Sequence, residues 1–172
     1  MPSPATPVLI VFGGLPGTGK TTLARELSRR LSASYLRIDA IEQSLRSAGF
    51  AVGIMGYVIG NEIAAENLKL GRIVVADCVN PVRASREGWR ETAGKYAARL
   101  VEIEVLCSDA GEHRRRVESR SPDIAELVLP SWQDVSSRTY EPWDRERIVI
   151  ETAKDTVDRM VERIAALVNG KG

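Results

Sequence analysis

The sequence contains two cysteines and one histidine among 172 residues. Cys78 and Cys107 lie in separate apolar runs without metal-ligand spacing. They are expected to be two buried thiols in a reducing compartment, not a disulfide scaffold or a zinc site. A lone His113 argues against a histidine-built metal centre and against a Ser-His-Asp triad. Charge of one sign is also missing. Lys and Arg number 24 against 23 Asp and Glu, a net charge of +1, which argues against a strongly basic nucleic-acid binder, a local patch aside. No apolar run approaches the ~18 residues that a membrane span needs. Residues 1–7 lack a basic segment followed by an apolar core and a small-residue cleavage site. No secretory signal is expected there, and the expected location is cytoplasmic. No repeat, linker or low-complexity segment interrupts the chain.

What is present fits one domain over residues 1–172. A chain of this length can bury roughly 70% of its unfolded surface without a staple. Its 44% hydrophobic and 27% charged residues are ordinary for a globular protein. Apolar runs alternate with amphipathic stretches, the pattern of βαβ units. Strands are expected at Val8–Phe12, Tyr35–Ile38, Arg72–Ala76, Leu100–Cys107 and Ile148–Ile150. Helices are expected at Lys20–Leu31, Ala40–Ala48, Asn61–Leu70, Pro81 to about Ala97, and Asp109–Arg120. Gly49–Gly60 holds four glycines and reads as a loop or a broken helix start. Pro122–Pro142 is polar and weakly periodic. Thr152–Asp155 has capping-box spacing before a last helix with Val157, Met160, Val161, Ile164, Leu167 and Val168 on one face. Asn169–Gly172 is expected to fray. The sum is an α/β domain with about five parallel strands and helices on both faces.

Gly14-Leu15-Pro16-Gly17-Thr18-Gly19-Lys20-Thr21 matches G-x-x-x-x-G-K-[ST] in full, and Thr22 follows. A strand precedes it and a helix follows, so this is a phosphate-binding loop (P-loop). Its glycines let backbone N–H groups close around an anion, and the helix N-terminus adds its positive end. Lys20 is expected on the β- and γ-phosphates of a nucleoside triphosphate, and the Thr21 hydroxyl on Mg²⁺. No Asn-Lys-x-Asp segment is present, which disfavours a GTPase switch.

In open α/β sheets, ligands bind at the carboxyl ends of the strands. Asp39 and Asp77 both fall there. Asp77 ends the run Ile73-Val74-Val75-Ala76 and suits the water shell of Mg²⁺. Asp39 suits a base that accepts a substrate hydroxyl proton. The two roles are exchangeable at this level, and each aspartate could instead cap the next helix. Asn80, Arg83 and Arg86 follow Asp77 and are candidates to face the same cleft. Arg116 and Arg120, at i and i+4, are candidates to neutralise a γ-phosphate from a mobile lid over about residues 109–142. Arg138 is a further candidate. Trp132, Tyr140 and Trp143 either stack on a ligand or pack under the lid.

These motifs resemble the small P-loop kinases of the AAA_33 type, alongside gluconate kinase, adenylylsulfate kinase, chloramphenicol phosphotransferase, zeta toxin and the kinase domain of polynucleotide kinase. The matching segments are 14–22, 38–46, 74–81 and 112–120, in the family's order. The resemblance implies strand order 2-3-1-4-5 in a three-layer P-loop NTPase fold with a small arginine-rich lid. It implies ATP with Mg²⁺ as donor, Asp39 as base, Arg116 or Arg120 in the lid, and Glu151-Thr152-Ala153 framing the adenine. Segment 46–60 is expected to line the acceptor pocket, with Val52, Ile54, Met55 and Tyr57 as a fairly apolar wall. The leading expectation is a kinase acting on a hydroxyl of a small molecule, as a monomer or homodimer. A polynucleotide 5′-hydroxyl or nucleotide-sugar kinase, and a regulatory ATPase without an acceptor, are the alternatives.

Overall fold

The structure, a computed structural model, describes residues 6–170. The reading of no signal at residues 1–7 therefore falls mostly outside the described residues, as does the expected fraying of 171–172. Five strands form one parallel sheet: β1 (Val8–Gly13), β2 (Ser34–Arg37), β3 (Ile73–Asp77), β4 (Arg99–Leu106) and β5 (Ile148–Glu151). Their order is β2-β3-β1-β4-β5. The register pairs Phe12 with Asp77 and Arg37 with Asp77, so three strands end at one level. Among the described residues seven helices surround them: α1 (Lys20–Leu31), α2 (Ile38–Ser47), α3 (Met55–Lys69), α4 (Arg83–Lys95), α5 (Ala110–Ser119), α6 (Trp132–Ser136) and α7 (Val157–Val168).

The period-2 alternation of β1 divides the core. Ile10 and Phe12 pack with Leu23 and Leu27 of α1 and Ile164 of α7. Leu9 and Val11 pack on the other face with Leu68 of α3 and Trp89 of α4. Both faces are therefore covered, and ligand access is left to the strand ends.

Three local expectations need correction. Helix α3 begins at Met55, inside the glycine-rich stretch. Gly56 and Gly60 lie where helices touch: a Cβ on Gly56 would stand 2.5 Å from Glu42 Cγ, and one on Gly60 2.5 Å from Ile38 Cδ1. Close packing thus offsets the roughly 1 kcal/mol that each glycine costs a helix. Helix α2 starts at Ile38, so Asp39 sits in its first turn and not at a strand end. Thr152 makes no capping box. The N-cap of α7 is Thr156, without a side-chain cap bond, and Thr152 is buried for another purpose.

Candidate active site

The loop between β1 and α1 is shaped by backbone that only glycine tolerates. Gly14, Gly17 and Gly19 have φ of 142°, 84° and 96°. A Cβ on Gly14 would stand 2.4 Å from the Val105 carbonyl oxygen, and one on Gly17 2.5 Å from Val117 Cγ2. The loop is therefore wedged between β4 and α5. Helix α1 starts at Lys20 with no side-chain cap and no acid in its first turn. Its first N–H groups and positive end face the loop unneutralised, which suits an anion.

Lys20 is buried, and its Nζ donates to the Leu15 carbonyl at 3.2 Å. Burial pushes its pKa down, while Asp77 and Asp39 hold it up. That bond uses one of three ammonium hydrogens. The Thr18 hydroxyl also donates to the Leu15 carbonyl, at 2.9 Å.

A cleft of about 890 Å³ opens beside the loop, lined on this side by Gly19, Lys20, Thr21 and Thr22. That volume is at the upper end of small-ligand sites. Of the other loop residues, Pro16 and Gly17 also line it, and Gly14 and Leu15 build the turn beneath.

The two aspartates part company here. Asp39 lines the cleft, its side chain 44% exposed, with Arg37 Nη2 at 3.7 Å. Asp77 is buried behind it and accepts from the Tyr35 hydroxyl at 2.8 Å. Burial, reinforced by that carboxylate, pushes the Tyr35 phenol up. Neither aspartate caps a helix: the N-caps of α2 and α4 are Arg37 and Val82.

Helix α5 supplies the roof. Asp109 caps it, accepting from Glu112 N at 2.9 Å. Arg116 lines the cleft in a fixed pose, donating to Glu112 at 2.7 Å and to the Thr152 hydroxyl at 2.8 Å. Arg120 follows the helix in extended backbone, so it does not share the helical face the sequence suggested. It lines the cleft all the same, with Nε and Nη2 buried and without a hydrogen-bond partner. Burial pushes its guanidinium down from its usual value, and Asp39 counters this. His113 Nε2 lies 2.8 Å from the Pro16 carbonyl, which can only accept, so the ring donates there. Trp132 meets the His113 ring edge-on at 5.2 Å. Among the described residues no cluster of His, Cys, Asp and Glu forms a metal cage.

Several expected site residues stand elsewhere. Asn80 is fully buried, and its side-chain amide has no hydrogen-bond partner among the described residues. Arg86 is fully buried and donates to the carbonyls of Glu141 (3.0 Å) and Pro142 (3.2 Å), its guanidinium 4.8 Å over the Trp143 ring. Exposed Arg83 pairs with Asp144 at 3.3 Å. None of the three lines the cleft, because α4 anchors the returning segment 141–144 instead. Tyr140 and Trp143 belong to that anchor, bonded at 3.0 Å, whereas Trp132 packs by the loop. Residues 47–60 do not line the cleft either. Its apolar wall is Leu127–Pro130, and the α2 side is polar, with Glu42, Gln43 and Arg46.

Arg138 does line the cleft. So do three residues that no motif marks: Arg25, Arg37 and Asp123. Asp123 Oδ2 accepts from Arg25 at 2.6 Å and from Arg37 at 2.8 Å. Those guanidiniums hold its carboxyl down at about 2.

The AAA_33 model, described as an AAA domain, matches residues 9–142. The chain belongs to the AAA_33 family. Its curated relatives include an adenylyl-sulfate kinase from Geotalea daltonii, 30% identical over 96% of this chain and 84% of that one. Among solved structures it is similar to the Mycobacterium tuberculosis APS kinase CysC in complex with AMPPNP and APS. The TM-score is 0.70 at 16% identity, covering 96% of this chain and 99% of that one. It is also similar to a gluconokinase from Sinorhizobium meliloti 1021, with TM-score 0.61 and 18% identity over 98% of each chain. This AAA_33 chain is a P-loop phosphotransferase that uses a nucleotide. No helix among the described residues is long and apolar enough to cross a membrane.

Proposed function

We propose that the chain, acting as one domain, transfers the γ-phosphate of ATP to a hydroxyl of a small-molecule acceptor. The observation that carries this reading is Arg120, a buried guanidinium with two unpartnered nitrogens in the cleft wall. Leaving such a group unpaired is costly, and an anion in the cleft removes the cost. Lys20 with its spare hydrogens, and the bare N-terminus of α1, give the same anion its other contacts.

Asp39 then acts as the base. It is the carboxylate that faces the cavity, with Arg37 beside it. Asp77 is too enclosed to meet an acceptor. It fits the role of holding Mg²⁺ water, together with the Thr21 hydroxyl. Hard oxygen donors few in number suit Mg²⁺, which takes its remaining ligands from phosphate and water. When bound, the ion offsets charge on the phosphates. Arg116 and Arg120 stand over the loop to share the charge that spreads across the equatorial oxygens during transfer. Water is kept from the γ-phosphate by the α5 roof, which favours an acceptor hydroxyl.

The test is ADP release with ATP and Mg²⁺ across sugars, sugar acids, nucleosides, aminoglycosides and 5′-hydroxyl oligonucleotides. One acceptor should raise turnover well above the water background. Asp39→Asn should remove at least ~100-fold of that turnover with ATP binding retained. ATP binding without any acceptor response, or full activity in Asp39→Asn, defeats this reading.

A further inference from the structure

Arg25 and Arg37 approach one carboxylate oxygen from two elements, α1 and the end of β2. Asp123 brings that oxygen from the loop between α5 and α6. All three residues line the cleft. The arrangement leaves most of the donor capacity unused. Two guanidiniums carry ten N–H hydrogens, and one oxygen takes two. Arg37 is the clearer case, since its side chain is 10% exposed and its one side-chain hydrogen bond among the described residues goes to Asp123. Its other acidic neighbours, Asp77 at 3.9 Å and Asp39 at 3.7 Å, are beyond hydrogen-bond reach.

A tetrahedral oxyanion offers three or four oxygens and can span both guanidinium forks, which a single carboxylate oxygen does not. Position supports the same ligand. Arg37 reaches Asp123 through Nη1 and stands 3.7 Å from Asp39 through Nη2, so an anion held here sets the rest of its molecule against the cavity-facing carboxylate.

We propose that Arg25 and Arg37 form an acceptor subsite for a phosphate or sulfate group, and that Asp123 fills it until the acceptor displaces it. This deepens the phosphotransferase reading and rests on it for the word acceptor. The consequence is a sign that a plain structural latch does not produce. Removing the Asp123 charge removes a competitor, so the anion binds more tightly.

Arg37 stands among three carboxylates, and its removal strands them, so the exposed partners serve as the variants. Inorganic sulfate is titrated calorimetrically into protein whose phosphate loop is filled by a non-hydrolysable ATP analogue with Mg²⁺. One sulfate site is expected, weakened about tenfold in Arg25→Gln and tightened several-fold in Asp123→Asn. Absence of that site, insensitivity to both substitutions, or weaker binding in Asp123→Asn overturns the proposal. ADP release is then compared for matched alcohols carrying phosphate, sulfate or neither. The anionic members should have the lower KM, and Arg25→Gln should raise that KM without changing the KM for ATP. A neutral alcohol turned over as well as its anionic partners, with loss in Asp39→Asn, removes this subsite and leaves the kinase reading standing. A sulfate site with the expected signs but no ADP release from any alcohol keeps the subsite and removes the kinase reading.

Discussion

Replacing Thr152 with valine tests whether the roof and the phosphate loop are one mechanical unit. The Thr152 hydroxyl is buried, with Oγ1 2.7 Å from the Thr18 carbonyl and 3.0 Å from the Leu106 carbonyl. It also accepts from Arg116 Nη1 at 2.8 Å. Valine keeps the shape and removes all of this. The Leu106 carbonyl keeps its bond from Thr152 N at 2.9 Å, and Arg116 keeps Glu112 and the Thr152 carbonyl. What remains is a deeply placed Thr18 carbonyl without its hydroxyl donor and one lost charge-assisted bond. Together these amount to about 2 kcal/mol, the lower part of the range, because Arg116 can turn partly to water. For a domain of this size that lowers Tm by roughly 4–8 °C. Because Thr18 belongs to the loop, ATP affinity should also fall, by about fivefold, through lost preorganisation. Urea unfolding and calorimetric ATP binding measure the two effects, and Thr152→Ser should restore most of both. A loss of stability below ~0.5 kcal/mol with unchanged ATP affinity refutes the linkage.

Arg86→Met should destabilise the fold by about 3 kcal/mol in urea, because it strands the carbonyls of Glu141 and Pro142 and the stack on Trp143. Its KM values for ATP and acceptor should stay unchanged; a raised acceptor KM at full stability would return Arg86 to the cleft. The Asp123 carboxyl, lowered from 3.8 to about 2, gives a pH signature. Its contribution is fully present above pH ~4 and is lost as pH falls towards 2, the sign for a depressed folded pKa. The stability difference between wild type and Asp123→Asn should therefore shrink over that window, and a difference constant from pH 5 to pH 2.5 contradicts the ion pairs.

The parts of the fold legible in the sequence were those set by local periodicity and by glycine. The continuous apolar run Val8–Phe12 and the helical spacing of Leu23, Leu27 and Leu31 located β1 and α1 to within a residue. The phosphate loop was legible because its backbone admits glycine alone at φ of 142°, 84° and 96°. The start of α3 was hidden because Gly56 and Gly60 serve contacts with α2 and Trp89, which a one-dimensional pattern does not show. Thr152 read as a cap since Thr152–Asp155 has the right spacing, yet its hydroxyl is taken by Thr18 and Leu106. Arg86 read as a ligand-facing residue from helical spacing alone. Full burial turned it into an anchor for a segment 55 residues further on. Asp123 was illegible because its meaning comes from Arg25 and Arg37, which are remote in sequence.

The two halves of the cleft are made of different material, and this explains why one half was easy to read. The nucleotide half is backbone: glycine positions, a helix end and carbonyls held by Thr18, Lys20 and Thr152. Changing it disturbs β4 and α5, so its sequence is narrowly confined. The half proposed for the acceptor is side chain: Glu42 with Arg46, Asp123 with Arg25 and Arg37, and Arg138. Except for Arg37, the last residue of β2, these residues lie outside the sheet and can be exchanged without touching it, so the same fold can serve an adenylyl-sulfate kinase and a gluconokinase. Arg138 is exposed, and its guanidinium is engaged in no hydrogen bond or ion pair among the described residues. Arg138→Gln should therefore leave stability within about 0.5 kcal/mol, as for other surface changes, and leave ATP affinity intact. It should raise the KM of the acceptor identified by ADP release several-fold. An unchanged acceptor KM would place the acceptor wholly on the α1 and α2 side of the cleft, against Arg25, Asp39 and Glu42.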